Sequence, residues 1–151
     1  MDMLKNASRA LCFALLAAAA GCGEGVTSPI TFVGPANLVV TDLRLGDGAV
    51  LAVGQTATVH YKLWLYDPTG SELKGQLLED SRLGGPPAGY PLRIVAGQII
   101  QGWVEGVPGM KVGGQRRLII PPALAYGSTG SGGIPPNAWL VFDIELLAVA
   151  D

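Results

Sequence analysis

Histidine and cysteine are scarce in this chain, which has one histidine and two cysteines among its 151 residues. A structural zinc site needs about four Cys or His ligands, so none can be assembled from this inventory. Cys–His catalysis fails for the same reason, and no serine lies in a G-x-S-x-G turn of the hydrolase type. The lone His60 is expected to be an exposed or edge-of-sheet strand residue. We therefore expect no metal and no cofactor.

Runs of like charge are also missing, and the formal net charge is −2. Nucleic-acid binding depends on clustered Lys and Arg, so no nucleic-acid partner is predicted. The glycine-rich stretch "GSTGSGG" is not followed by the Lys of a phosphate-binding loop, and the next predicted element is a strand rather than a helix. Phosphate binding is therefore not expected either.

The apolar run at residues 10–20 is too short for an ordinary membrane span. It follows Lys5 and Arg9 and ends in "AAGC", which resembles the lipobox of bacterial lipoprotein signal peptides. We expect residues 1–21 to be removed and Cys22 to carry a lipid, since Cys22 then has no partner for an intramolecular disulfide. A plain secretory signal and a buried N-terminal helix are the alternatives. The leading interpretation is an exported, membrane-anchored bacterial lipoprotein that faces the periplasm.

Residues 22–37 contain two prolines and no sustained period, which predicts a flexible tether before a domain at 38–151. Alternating apolar residues predict strands in "LVVTDLRL", "TATVHYKLWLY", "YPLRIVAG", "QRRLII" and "AWLVFDIELLAV". The stretch "IIQGWVEGV" has helical spacing, and Pro108 and Gly109 should end that helix. Residues 67–90 are predicted to be a long excursion with short paired pieces. Because there is no βαβ alternation, the predicted fold is α+β, an antiparallel sheet covering one short helix.

Four aromatic residues come from four different predicted elements, each on or beside an apolar face: Tyr61, Trp103, Tyr126 and Phe142. Spacing alone leaves two interpretations open, and ordinary core packing is the simpler of them. The other is an aromatic pocket.

The stretches "GQTATVHY", "GQIIQGWVEGVPGMKVGGQRRLIIPPALAYG" and "GGIPPNAWLVFDIELL" resemble the FKBP-type peptidyl-prolyl cis-trans isomerases. The order and spacing match from about residue 38 to residue 147. The resemblance implies a twisted, half-open antiparallel sheet wrapped around a short helix, with a pocket between them. It also implies an enzyme that accelerates rotation about Xaa-Pro bonds and assists the folding of exported proteins.

The resemblance further implies the residues of that pocket. Trp103 is expected as its floor, Tyr61 and Phe142 as its sides, and Tyr126 as a hydroxyl at its rim. The remaining candidates for substrate binding are Leu78, Glu79, Asp80, Leu92, Ile99, Ile100 (through its backbone N–H) and Ile134. Proline-containing polypeptides are the expected partners, macrolide inhibitors are plausible ligands, and a monomer is expected.

The chain departs from the family pattern in "LLEDSR" and "YPLRI". Leu78 and Leu92 replace aromatic residues that the family usually has, and either Glu79 or Asp80 stands in for its usual pocket Asp. Leucine keeps a pocket dry but offers less flat surface to a proline ring. We therefore expect a working pocket with reduced activity or an altered preference for the residue before proline. The alternative function is a binding or chaperone module of the same fold that holds proline segments without catalysis. A structural lipoprotein domain with an unused pocket is a third.

Overall fold

The structure is a computed structural model that describes residues 33–151. In chain order the elements are β1 (Val39–Arg44), β2 (Thr56–Tyr66), a 3-10 turn (Ser71–Leu73), β3 (Lys74–Asp80), β4 (Tyr90–Arg93), α1 (Gln101–Gly106), β5 (Gln115–Ile120), a second 3-10 turn (Pro122–Leu124) and β6 (Leu140–Ala150). Every strand pairing is antiparallel, and the strands lie in the order β1-β5-β6-β2-β3, with β4 also paired to β2. The predicted α+β fold, an open antiparallel sheet with one short helix, is confirmed.

The two longest strands, β2 and β6, form the most extensive pairing of the sheet. Side chains alternate between the two faces of a strand, and in β6 the predicted inward set is buried: Leu140, Phe142, Ile144 and Leu146. The opposite side chains, Asp143 and Glu145, make ion pairs instead. Tyr61 of β2 is paired with Ile144 of β6, so the inward faces of the two strands lie side by side.

Helix α1 packs against β5 through two glycines that are one turn apart. A Cβ atom on Gly102 would lie 2.5 Å from Cγ2 of Ile120, and one on Gly106 would lie 2.7 Å from Cδ2 of Leu118. Both distances are shorter than real carbon–carbon contacts, so only glycine lets the helix backbone approach the strand this closely. The helix ends before Pro108 and Gly109, as the sequence predicts, and Gly109 has a φ of +84°.

The predicted excursion at residues 67–90 contains β3 and leads into β4. Strand β4 pairs with residues 56–59 of β2, whereas β3 pairs with residues 62–66 of the same strand. Both therefore lie along the edge of β2 that does not face β6. The connection at residues 81–89 meets β2 in the gap between these two pairings.

That connection buries His60, so the expectation of an exposed histidine is wrong: only 7% of its surface is accessible. Nδ1 of His60 lies 3.1 Å from Oγ of Ser81, and Nε2 lies 3.3 Å from the carbonyl oxygen of Pro87. The same Ser81 Oγ accepts the backbone N–H of Tyr61 at 2.8 Å. With its proton on Nε2, His60 accepts from the Ser81 hydroxyl and donates to Pro87, so each of these groups has a partner. The alternation of β2 predicts which face of the strand carries His60, but it cannot predict that an irregular segment covers this face.

Residues 1–32, which include the predicted signal peptide and Cys22, lie outside the described residues. Near the end of the predicted tether, the indole N–H of Trp139 donates to the carbonyl oxygen of Pro35 at 3.0 Å. This hydrogen bond fixes Pro35, in the last part of the predicted tether, beside the residue that precedes β6. Among residues 33–151, no helix is long and apolar enough to cross a membrane.

Candidate active site

A cavity of about 190 Å³ lies between α1 and the inward face of the sheet. Strands β2, β3, β4 and β6, helix α1 and two irregular segments contribute to its wall. The lining residues are Tyr61, Leu63, Glu79, Leu92, Gln98, Ile99, Ile100, Trp103, Tyr126 and Phe142. The four predicted aromatic residues thus meet at one cavity, although the roles assigned to them stay predictions.

Three of these aromatic rings pack against one another, and Trp103 stands almost at right angles to the other two. The ring centroids of Trp103 and Phe142 are 5.4 Å apart with an interplanar angle of 87°, and those of Tyr61 and Trp103 are 5.5 Å apart at 90°. Edge-to-face pairs of this kind are favourable because the positive edge of one ring meets the negative face of the other. Trp103 and Phe142 are each only 4% exposed. The cavity therefore has a rigid and mostly apolar base.

The start of α1 sets the position of Trp103 and leaves one backbone donor at the wall. Ile100 is the N-cap residue of α1 in an extended conformation, and its carbonyl oxygen accepts the N–H of Trp103 at 3.0 Å. In the described part of the chain, the N–H of Ile100 makes no hydrogen bond to a backbone carbonyl. The buried indole Nε1 of Trp103 likewise has no partner among residues 33–151. Buried polar groups are nearly always paired, so an unpaired indole N–H on a residue that lines a cavity is typical of a functional site.

Tyr61 and Glu79 form the polar side of the cavity. The Tyr61 hydroxyl donates to Oε1 of Glu79 at 2.6 Å. Burial, followed by this hydrogen bond and the Glu79 charge, raises the pKa of Tyr61 above its ordinary value. Burial and then the Glu79 charge also raise the pKa of Tyr126. Both hydroxyls are therefore neutral near pH 7. The Tyr61 hydroxyl gives its one hydrogen to Glu79, whereas the Tyr126 hydroxyl keeps a hydrogen that it can donate to a ligand.

The neighbouring acid, Asp80, faces away from the cavity. In the pairing of β2 with β3, Glu79 lies opposite the cavity residue Leu63, whereas Asp80 lies opposite Lys62. Asp80 forms an ion pair with Lys62 at 3.0 Å and accepts the backbone N–H of Arg82 at 3.0 Å. The Arg82 hydrogen bond, and then that from Lys62, lower the pKa of Asp80. Of the two candidate acids, the structure places only Glu79 at the cavity.

Of the other residues predicted to bind substrate, some line the cavity and some do not. Leu92, Ile99 and Ile100 line the cavity, whereas Leu78 and Ile134 are partly buried against the same core without lining it. Leu78 is the unpaired residue between two β2–β3 pairs, Leu63 with Glu79 and Trp64 with Leu77, so it lies in a β-bulge.

Two lining residues were missing from the sequence-based prediction, Leu63 and Gln98. The alternation of β2 places Leu63 on the same face as Tyr61, so the pattern contained that signal. Gln98 lies in an irregular segment before α1, and no local pattern marks it.

The segment that follows Tyr126, residues 127–138, is here called the flap. Its backbone is tied together by hydrogen bonds between Ser131 and Ile134 in both directions, and the N–H of Asn137 donates to the carbonyl oxygen of Gly127 at 2.8 Å. Three flap glycines have positive φ values, at Gly127, Gly130 and Gly132. The flap is therefore a folded turn beside the cavity. Within residues 33–151 there is no cluster of potential metal ligands, at the cavity or elsewhere.

Comparison with known proteins agrees with this geometry. The family model described as "FKBP-type peptidyl-prolyl cis-trans isomerase" matches residues 48–147. An FK506-binding protein of Streptomyces anulatus is 46% identical over 117 residues, which cover 76% of this chain and 88% of that protein. Among solved structures, AtFKBP13 matches with a TM-score of 0.63 and 34% identity, covering 78% of this chain and 97% of the other. FkpA from Escherichia coli matches with a TM-score of 0.63 and 39% identity, covering 75% of this chain but only 48% of FkpA. The chain therefore belongs to the FKBP-type peptidyl-prolyl cis-trans isomerase family.

Proposed function

We propose that this chain catalyses cis–trans isomerisation of Xaa-Pro peptide bonds in the cavity between α1 and the sheet. Family membership gives the reaction, and the packing of Tyr61, Trp103 and Phe142 around the cavity is the observation that carries the assignment of the site. Clients are proline-containing segments of polypeptides.

The chemistry requires no acid, base or nucleophile. The peptide C–N bond resists rotation by about 18–20 kcal/mol because of amide resonance, and that resonance separates charge. Water favours the planar, charge-separated amide, whereas a mostly apolar cavity removes this advantage and binds the twisted amide better. A thousandfold acceleration needs only about 4 kcal/mol of preferential transition-state binding.

The lining residues divide this task among them. The proline ring rests on Trp103 between Tyr61 and Phe142, and the free N–H of Ile100 donates to a substrate carbonyl. The Tyr126 hydroxyl donates at the rim, and Leu92 and Ile99 complete the apolar wall. Leu78 and Ile134 support the wall from behind. Glu79, rather than Asp80, takes the position of the pocket acid and holds the Tyr61 hydroxyl in place.

Exchange NMR on short Xaa-Pro peptides tests this proposal. The wild type is expected to accelerate interconversion, and Trp103→Leu to slow it at least tenfold while circular dichroism shows that the fold persists. Trp139→Leu is the matched control, because it makes the same change at a tryptophan that does not line the cavity. Equal effects of the two substitutions would refute the site; if Trp103→Leu does not fold, Phe142→Leu replaces it.

A non-catalytic binding module is the second candidate, and one observation favours it. Leucine at position 92 leaves the cavity wall without the flat ring that the family usually has there. Peptide-dependent line broadening without any acceleration of exchange would establish this alternative and exclude catalysis.

Export and lipid anchoring form a separate proposal, supported by the N-terminal sequence alone. Residues 1–21 act as the signal peptide, Cys22 carries the lipid, and residues 22–37 tether the domain at 38–151 to a bacterial membrane on its periplasmic side. Clients are then exported proteins. Cys22→Ser is expected to move the protein from the membrane fraction to the soluble fraction, and unchanged membrane association would contradict the proposal.

Ligand binding and oligomeric state complete the proposal. The domain acts as a monomer and binds macrolides of the rapamycin kind in the same cavity, since the family binds such ligands generally. A macrolide is expected to compete with Xaa-Pro peptides, and binding without competition would place it elsewhere. Sedimentation at rising protein concentration checks the monomer.

A further inference from the structure

One charged side chain stands in an otherwise neutral cavity wall. Among the lining residues only Glu79 carries a formal charge, and it lies on the exposed side of β3. Its Oε1 accepts the Tyr61 hydroxyl, and Oε2 has no hydrogen-bond donor within the described residues. The Tyr61 bond therefore holds the carboxylate at the mouth of the cavity with one oxygen unused.

Glu79 also differs from the other acids of β3 and β6 in having no cationic partner. Asp80 is paired with Lys62, Glu145 with Arg44 and Arg82, and Asp143 with Lys74 and Arg117. In residues 33–151, no Lys or Arg nitrogen lies within 4 Å of the Glu79 carboxylate. Within the described residues, no cation therefore compensates the charge at the cavity mouth.

The field of this carboxylate extends across the site. The pKa of Tyr126 is raised first by burial and then by the Glu79 charge. A charge that acts on Tyr126 also acts on any side chain that projects from the cavity beside a bound proline. Such a side chain stays partly in water, so the interaction is modest and depends on salt.

We propose that Glu79 makes this isomerase prefer Xaa-Pro segments that carry Lys or Arg in the residue flanking the proline, and disfavour Asp or Glu there. The inference rests on the proposed function, because it assigns a substrate class to the same cavity. An exposed ion pair is expected to change kcat/KM about two- to fivefold at low ionic strength. An acidic flanking residue is expected to lower kcat/KM, because its charge is repelled by the Glu79 carboxylate.

Peptides that differ in one side chain test the proposal. Lysine is compared with acetyl-lysine, which has similar length without the charge, and glutamate with glutamine, placed before the proline in one series and after it in another. We expect a Lys to acetyl-Lys ratio of about two to five in at least one series at low salt. The ratio should approach one near 1 M salt, where the screening length is about 3 Å. A ratio of one in both series at low salt would overturn the proposal.

Two variants assign the effect to this carboxylate. Glu79→Gln keeps an oxygen that accepts the Tyr61 hydroxyl and removes only the charge, so the preference should disappear. Glu105→Gln removes the same charge from an exposed residue of α1 that bonds Gln101 and does not line the cavity, so the preference should persist. A preference that survives Glu79→Gln, or that Glu105→Gln abolishes equally, would overturn the assignment.

Peptide binding measured by NMR titration separates this inference from the proposed function. If no peptide is isomerised but the Lys peptide binds two- to fivefold more tightly than the acetyl-Lys peptide, catalysis fails and the charge preference stands. If exchange is accelerated equally for all peptides, catalysis stands and the charge preference fails. Without either acceleration or selective binding, both fail.

Discussion

The contact between Gly102 and Ile120 offers a sharp test of how α1 is held against the sheet. In Gly102→Ala the new Cβ would lie 2.5 Å from Cγ2 and 2.8 Å from Cδ1 of Ile120. Ile120 is completely buried and β-branched, so its side chain has little freedom to turn away. The helix must therefore move off the strand, or the core beneath it must shift.

Two opposing effects set the magnitude. Alanine in place of glycine favours a helix interior by about 1 kcal/mol, and by less at this position in the first turn. Overpacking of a full core costs about 1–3 kcal/mol, and an overlap this severe belongs in the upper part of that range. We expect the unfolding free energy to fall by about 1–2 kcal/mol as the balance of these effects. Trp103 is the next residue, so kcat/KM for Xaa-Pro peptides should fall as well.

Urea unfolding followed by circular dichroism measures the change as a lower midpoint at constant slope. Gly133→Ala is the matched control, since no atom lies within 4 Å of a Cβ there and its φ is not left-handed. That variant should stay within about 0.5 kcal/mol of the wild type or become slightly more stable.

A double-mutant cycle with Ile120→Ala tests whether the clash is the cause. Ile120→Ala alone should cost about 2–5 kcal/mol, because it leaves a cavity. The double variant should cost less than the sum of the single changes by about 1 kcal/mol or more, since alanine at position 102 fills part of that space. Additive effects, or a Gly102→Ala variant as stable as the wild type, would refute the reasoning.

Three further predictions concern the site and its supports. Tyr126→Phe should leave stability within about 0.5 kcal/mol and lower kcat/KM about two- to tenfold; an unchanged rate removes the hydroxyl from the mechanism. Ser81→Ala should cost about 1–3 kcal/mol in urea unfolding, because His60 and the Tyr61 N–H lose a buried partner; a neutral result means that water replaces the hydroxyl. Burial raises the pKa of Asp143, but hydrogen bonds from Arg117 and Lys74 outweigh it and lower that pKa overall. The ionised Asp143 therefore stabilises the fold fully above its unfolded pKa of about 4, and this stabilisation is lost as pH falls through its folded pKa. In Asp143→Asn the urea midpoint should consequently depend less on pH on the acid side.

The sequence was informative where a residue belongs to a long periodic element. Phe142 follows from the alternation of β6, and Trp103 from the helical spacing before Pro108 and Gly109. Each of these positions depends on one strand or helix and the face that it buries. Local pattern is enough in such cases.

Pairing between distant segments decided the rest. Alternation shows that Glu79 and Asp80 face opposite sides, but the β2–β3 register determines which of them reaches the cavity. A bulge within that pairing turns Leu78 off the cavity lining, and no residue type announces it. His60 is buried by an irregular connection, and Gln98 reaches the cavity from another. Contacts of this kind have no period in the sequence.

The pairing of β2 with β6 also divides the cavity into two halves with different dynamics. Phe142 lies in the middle of β6, which is paired with β2 on one side and β5 on the other, so its amide should exchange with solvent only when the whole domain unfolds. Tyr126 and Ile134 belong to or border the flap, where a few turn hydrogen bonds open locally. The strand half is therefore constrained by the stability of the fold, whereas the flap half is free to vary. Divergence in substrate choice among chains of this architecture should accumulate on the flap side of the cavity.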